Sequence, residues 1–281
     1  MKRVLSVQDL SCAGRCSLTV ALPVISAMGC RCTVLPTAVL STHTGFPRPF
    51  VRDLTEDLAP IREHWKSVGT EFDAVSIGYL SDPVQAKAVE AILETFPAVT
   101  VLDPAMGDNG RLYSRITDAH VAAMKGLVRR AALVLPNVTE AAALTGLPYP
   151  ENPDRDDCLR LTRGLLELGA DSAVITGVSL EPGKTGFFGM DSRGRTFHFQ
   201  TRRIPRSFHG TGDLFSAVVT GGLMNGLDTE NAARLAAEFV AKCISGTPEV
   251  TPWGVEFERQ LPWLWQKLQS GGQCAFGCPG Y

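Results

Sequence analysis

Residues His209-Gly210-Thr211-Gly212-Asp213 run directly into the apolar, small-residue stretch Leu214-Phe215-Ser216-Ala217-Val218-Val219. Two glycines allow a tight turn and a close backbone approach to a ligand, and the stretch behind them reads as a helix whose first N–H groups lack intrahelical partners. Such groups, at the positive end of the helix dipole, form a hole for an anion such as a phosphate. A carboxylate in the same turn is expected to be kept ionised by that dipole, so Asp213 could take the proton of a hydroxyl lying beside the phosphate. An anion hole and a base at one point suggest phosphoryl transfer to an alcohol. Alone, the tetrapeptide Gly210-Thr211-Gly212-Asp213 would fit a capped turn before a core helix equally well.

Transfer of a phosphoryl group from ATP further needs Mg²⁺ on the triphosphate and dipoles on the migrating oxygens. The chain has no Gly-x-x-x-x-Gly-Lys-Ser/Thr loop. Asp103, Asp108 and Glu140 are instead carboxylates suited to hold a hydrated Mg²⁺ directly or through water, because Mg²⁺ prefers oxygen and retains several waters. Asn137 and Thr176 could add neutral contacts to phosphates. Each residue also has a structural reading: Asp103 as a turn residue before Pro104, and Asn137 with Glu140 as an N-cap and its capping-box partner. The two readings of Glu140 are compatible. Glu140→Gln is expected to keep shape and hydrogen bonding while removing a charge.

Positioning these residues requires a sheet. Short β-branched runs alternate with longer amphipathic segments, the α/β pattern. Predicted strands are Val4–Val7, Thr33–Leu35, Ala74–Ile77, Thr100–Leu102, Leu133–Leu135 and Ala173–Thr176, mostly apolar throughout, as parallel strands covered on both faces should be. Predicted helices are Leu18–Met28, Phe50–Ser67, Pro83–Phe96, Thr117–Arg130, Asp156–Leu168, Thr229–Ser245 and Glu256–Lys267. Gly186–Met190 and Thr196–Gln200 read as an antiparallel hairpin just before the glycine motif. Ligands collect at the carboxyl ends of parallel strands. Those ends give Gln8-Asp9, Gly78-Tyr79, Asp103 to Asp108, Pro136 to Glu140 and Thr176-Gly177, which together describe a long cleft beside the anion hole.

The 281 residues, 44% hydrophobic and 20% charged, suit a soluble domain over 1–268 with a glycine-rich, flexible tail over 269–281. A formal net charge of −2 gives no footprint for nucleic acid or an anionic membrane. No apolar run reaches spanning length and the start lacks a signal-peptide pattern, so a cytoplasmic location is expected. The eight cysteines then read as free thiols, and their spacings complete no zinc site.

The order Asp103-Pro104-x-Met106-Gly107, Asn137-x-x-Glu140 and Gly210-Thr211-Gly212-Asp213 resembles the ribokinase-like superfamily of small-molecule kinases, up to about Leu268. Within it the N-terminal half is similar to the pyridoxal/pyridoxamine (vitamin B6) kinases, through Val4 to Ser11, Ser17–Gly29, Ser41-Thr42-His43-Thr44-Gly45 and Gly78-Tyr79. The resemblance implies a three-layer αβα sandwich with a mostly parallel central sheet, often a homodimer, sometimes assisted by K⁺ or Na⁺. It assigns Thr44 and Tyr79 to the vitamer pocket. The Mg-ATP site would comprise Asp103, Asp108, Asn137, Glu140, Thr176 and Gly177, with Gly210, Thr211 and Gly212 as the anion hole and Asp213 as the base for the 5′-hydroxyl.

One departure stands out. Many members have Ser-His after the Gln that ends the first strand, whereas this chain has Asp9-Leu10-Ser11. Asp9 would favour a protonated pyridine by charge pairing, or Ser11 would make that contact instead. His43 reads as fixing its loop by hydrogen bonding rather than as a catalyst. A hydroxymethylpyrimidine kinase of thiamine synthesis shares the fold, but its usual Gly-Ser-Asp-x-Ser-Gly-Gly-Ala-Gly-like start is not matched by residues 8–16. A sugar kinase would need a β-lid for which there is no room between Val7 and Leu40. An inactive vitamer-binding protein would have no use for a base beside an anion hole.

Overall fold

The computed structural model describes residues 1–272. Its main sheet has nine strands in the order β11-β10-β9-β8-β5-β4-β1-β2-β3. These are β1 (Arg3–Ala13), β2 (Arg31–Thr42), β3 (Val51–Asp53), β4 (Ala74–Ile77), β5 (Val99–Leu102), β8 (Leu133–Val134), β9 (Ala173–Val178), β10 (Lys184–Met190) and β11 (Thr196–Arg202). The six from β9 to β2 in this order run parallel. Strands β3, β10 and β11 add antiparallel edges. A separate small hairpin pairs β6 (Gly107–Asp108) with β7 (Arg111–Leu112).

Alternation along the strands splits the core in two. Leu5, Val75, Leu102, Val134, Ile175 and Phe188 face helices α2 (Thr55–Ser67), α3 (Pro83–Thr95), α4 (Asp118–Val128), α5 (Val138–Thr145) and α6 (Arg155–Glu167). Their neighbours Val4, Ala74, Val101, Leu133, Val174 and Phe187 face α1 (Leu18–Ala27), α7 (Thr211–Met224), α8 (Thr229–Gly246) and α9 (Leu261–Gly272). Both faces of a pleated strand are thus buried, which is why the runs are continuously apolar. The result is the expected three-layer αβα sandwich. Among the described residues, no helix is long and apolar enough to cross a membrane, and Cys12, Cys16, Cys30, Cys32, Cys158 and Cys243 are free thiols.

Four expectations need correction. The helix read from Phe50 begins at Thr55, because Val51–Asp53 pairs with Ala38–Leu40 as an edge strand. The Asp53 carboxylate then accepts the Thr55 N–H at 2.8 Å, closing the turn into α2. The helix read from Glu256 is a 3-10 turn at Glu258–Gln260 followed by α9, since Phe257 is turned into the core and Pro262 fits only a first helical turn. α9 also carries residues 269–272, read as tail, into the helix; residues 273–281 lie outside the described residues. Finally, β2 extends well past Leu35, with Pro36 opposite Gln8 and a bulge between Gln8 and Leu10.

Candidate active site

Chain order runs from β1 to β2 on one side and returns to β4 on the other, so the strand order reverses between β1 and β4. Carboxyl ends at such a switch point diverge and leave a crevice. Asp9 and Ser11 stand on one side of it and Gly78-Tyr79 on the other. A Cβ on Gly78 would collide with the Gln8 side chain, so the two strand ends meet closely here.

The start of α7 lies beside this crevice. Gly210 is its N-cap in the left-handed region, φ 83°. A Cβ there would run into the Arg15 carbonyl oxygen, so glycine is required twice over. The first intrahelical bond is from the Leu214 N–H to the Gly210 carbonyl, 2.9 Å. The Thr211, Gly212 and Asp213 N–H groups precede it and are free for an anion. Asp213 is half-buried, and burial pushes its carboxyl up to about 6, with the Ser17 N–H acting in the opposite direction. With its carboxyl raised to about 6 by loss of hydration, Asp213 is still mostly ionised at pH 7, close enough to neutrality to take and give up a proton.

Opposite Gly212 stands Asp103, whose Oδ2 would be 3.8 Å from a Cβ on that glycine. Asp103 leaves β5 next to Glu140, and burial with the neighbouring Glu140 and Asp213 carboxyls raises its pKa well above the ordinary range. Burial also raises Glu140, against three backbone N–H groups that favour its charge. One Glu140 oxygen accepts from Met106 N–H at 2.9 Å and the other from Asn137 N–H at 2.8 Å, while Asn137 Oδ1 accepts from Glu140 N–H at 3.0 Å. This is the predicted capping box at the start of α5. The idea that Gln would preserve Glu140's hydrogen bonding is corrected: both oxygens accept, and an amide has one acceptor oxygen.

The β6–β7 hairpin is clamped over α5. Asn137 Nδ2 donates to the Gly107 carbonyl at 2.7 Å, and the Gly110 N–H donates to Thr139 Oγ1 at 2.9 Å. Exposed Asp108 sits at the tip and accepts from the Asn109 N–H. Asn137 and Thr176 form a parallel bridge, and Gly177 follows with φ 73°. Among the described residues no three His, Cys, Asp or Glu side chains form a ready-made metal cluster. The neighbouring carboxyls of Asp103 and Glu140, both raised by burial, nonetheless suit a divalent cation that brings its own waters and phosphate ligands.

On the other side, Asp9 is buried and each of its oxygens is occupied. Oδ1 accepts from Ser17 Oγ at 2.6 Å and Oδ2 from Ser11 Oγ at 2.9 Å. Burial raises its carboxyl. Tyr79 is half-buried, its phenol pushed up by burial and by Asp9 against the opposing charge of Arg115. Thr44 is exposed on the loop after β2. His43 accepts the Gly45 N–H on Nδ1 at 3.1 Å, so Nε2 carries the proton and donates to the Pro252 carbonyl at 2.6 Å. It fixes that loop, as expected. Its ring lies 4.2 Å from that of His209, and Phe46 packs 4.7 Å from Trp253.

The structure thus gathers Asp9, Ser11, Tyr79, Asp103, Asn137, Glu140, Thr176 and Gly210 to Asp213 along one sheet edge, with Asp108 in the β6–β7 hairpin and Thr44 on the loop after β2. Sequence reasoning gave no role to Ser17, Thr139 or His209. Thr139 lies inside the Asn137-x-x-Glu140 motif, and its hydroxyl at the start of a helix was the available signal. Nothing in the residue type marks Ser17.

Comparison with known proteins agrees with this fold. Residues 20–255 match the phosphomethylpyrimidine kinase family model. The chain is 32% identical to the Lactobacillus plantarum pyridoxal kinase structure, with a TM-score of 0.88 and coverage of 99% of this chain and 100% of that one. A Bacteroides thetaiotaomicron structure containing pyridoxal, provisionally described as a phosphomethylpyrimidine kinase, is 35% identical with a TM-score of 0.89, covering 94% and 95%. The pyridoxine/pyridoxal/pyridoxamine kinase of Bordetella bronchiseptica is 29% identical over 263 residues, 88% of this chain and 89% of that protein. By motif order, fold and these similarities, the chain belongs to the phosphomethylpyrimidine kinase family and, with the pyridoxal kinases, to the ribokinase-like superfamily.

Proposed function

We propose that the protein transfers the γ-phosphoryl group of ATP to the 5′-hydroxymethyl group of a vitamin B6 vitamer, giving the 5′-phosphate. The observation that carries this reading is Asp213 in the first turn of α7, beside three free N–H groups and across from Asp103, at the mouth of the β1/β4 crevice. The vitamer would lie between β1 and β4 with Tyr79 and Thr44 beside it. Its hydroxymethyl group would point at Asp213, which takes the proton as the bond to phosphorus forms. The Thr211, Gly212 and Asp213 N–H groups would receive the migrating oxygens, whose charge they stabilise without reorganising.

The nucleotide would run from the anion hole toward Asn137, Thr176 and Gly177. Asp103, Asp108 and Glu140 would hold Mg²⁺ largely through water, and Mg²⁺ bound with ATP would neutralise charge on the phosphates. The family resemblance adds K⁺ or Na⁺ near the phosphates and a homodimer to the proposal.

Hydroxymethylpyrimidine is the second acceptor worth testing, because the matching family model carries the phosphomethylpyrimidine kinase name. Residues 8–16 depart from that branch and favour the B6 reading. ATP consumption measured with pyridoxal, pyridoxamine, pyridoxine, hydroxymethylpyrimidine and ribose decides among them. A B6 vitamer is expected to be fastest. A faster pyrimidine would overturn the assignment, and thermal stabilisation by a vitamer without ATP turnover would indicate a binding protein.

A further inference from the structure

Ser17 holds an unusual backbone. It is the N-cap of α1, yet its φ of 51° and ψ of −130° lie where L side chains rarely go, and its hydroxyl makes no capping bond to the helix it precedes. Instead that hydroxyl donates to Asp9 Oδ1 at 2.6 Å, while Ser11 Oγ holds the other oxygen at 2.9 Å. Ser17, Asp9 and Ser11 are all buried. A serine that gives up its cap and accepts a disfavoured conformation needs a reason, and such residues concentrate at functional sites.

The turn around Ser17 is pinned from several sides. Thr19 Oγ1 donates to the Gly14 carbonyl at 3.0 Å and accepts the Cys16 N–H at 3.2 Å. The Arg15 N–H donates to the Trp253 carbonyl at 2.9 Å. The Arg15 carbonyl packs against both Gly210, the N-cap of α7, and Gly254. A Cβ on Gly210 would also lie 3.5 Å from Cys16 Cα, so the residue just before Ser17 packs on the N-cap of α7 and the starts of α1 and α7 are locked together, with Ser17 on the side of the Asp213 carboxyl, whose charged form its N–H favours.

We propose that Ser17 is a positioning residue for Asp213, its backbone N–H orienting the carboxyl and its hydroxyl bonded to Asp9 keeping that N–H in place. Asp9 then serves the bracket rather than the vitamer ring. This accounts for the departure at residue 9: the carboxylate there meets two serine hydroxyls of its own chain. The inference rests on the reading of Asp213 as the base.

The test is steady-state kinetics of the full-length protein with pyridoxal and ATP for Ser17→Ala, Ser17→Gly, Asp9→Asn and Asp213→Asn, alongside melting curves. Ser17→Ala retains a Cβ that disfavours the positive φ but loses the hydrogen bond that holds the residue there, so the turn should relax. It is expected to lower kcat by about 10-fold or more while both KM values stay within about 3-fold, since a misplaced catalytic group costs rate rather than binding. Ser17→Gly adopts the positive φ without a side chain and should recover most of kcat. Asp9→Asn should lower kcat with the pyridoxal KM unchanged. Wild-type kcat in Ser17→Ala, or equal impairment in Ser17→Gly, would overturn the bracket. So would a pyridoxal KM raised about 10-fold in Asp9→Asn, which would put Asp9 on the ring. Should Ser17→Ala not fold, the glycine and Asp9 variants decide by the same criteria. Wild-type turnover in Asp213→Asn would instead remove the base itself, a failure visible separately from that of the bracket.

Discussion

Asp213→Asn should separate activity from stability. The amide keeps the size of the side chain and an oxygen for the Ser17 N–H, but it cannot take the hydroxyl proton, so turnover is expected to fall by roughly 10²–10⁴ with little change in ATP affinity. The low end is reached if the nucleophile is only weakly bonded in a loose transition state, where positioning counts as much as basicity. Stability should move the other way. Folding raises the Asp213 carboxyl from 3.8 to about 6. The folded state thus binds the proton more tightly, and stability falls as pH rises from the unfolded value through the folded one. Above that window the charged group costs at most about 3 kcal/mol, roughly 1.4 kcal/mol for each of two pH units, a ceiling because the carboxyl is partly exposed. Asn carries no such charge, so the variant should melt several degrees higher at pH 7. In the wild type the same ionisation should lower turnover about 10-fold between pH 7 and pH 5, and that acid limb should vanish in the variant. The assays are vitamer turnover across pH, ATP titration and thermal melting. Wild-type turnover in the variant would refute the base, and a large loss of ATP affinity would show that Asp213 chiefly shapes the anion hole.

Two further substitutions probe the rest of the site. Glu140→Gln leaves one backbone N–H of Met106 or Asn137 facing an amide donor, so it should cost about 1–3 kcal/mol in a melt and raise the Mg²⁺ needed for half-maximal rate; no change in either would contradict both roles of Glu140. Gly210→Ala places a Cβ against the Arg15 carbonyl at φ 83°, and the displaced N–H groups should lower kcat by roughly 10²-fold; a fully active alanine variant would show that this turn is not the anion hole.

Much of this architecture was legible because the signals are local. Adjacent pairs such as Val4 and Leu5, or Val174 and Ile175, declare strands buried on both faces. Asn137 and Glu140 declare a capping box by spacing alone. The sheet edge then follows from topology, and with it the place where most of the candidate residues stand. What stayed hidden depends on partners distant in sequence. Val51–Asp53 looks like the start of a helix until it pairs with Ala38–Leu40, and Pro36 conceals the continuation of β2 because strands rarely carry proline. The charge state of Asp213 depends on how deeply other elements bury it, which no reading of its own turn supplies. Ser17 is hidden for the same reason: its positive φ is imposed by Asp9, Arg15 and the start of α7, not by its own preference.

The central claim is that phosphate is transferred to the 5′-hydroxymethyl of a B6 vitamer by the Asp213 site. The most direct measurement is ³¹P NMR with mass spectrometry on pyridoxal, pyridoxamine or pyridoxine incubated with Mg-ATP and either the wild type or Asp213→Asn. The account predicts one vitamer 5′-phosphate formed per ADP by the wild type and far slower formation by the variant. ADP without phosphorylated vitamer, or equal product from both proteins, would contradict it.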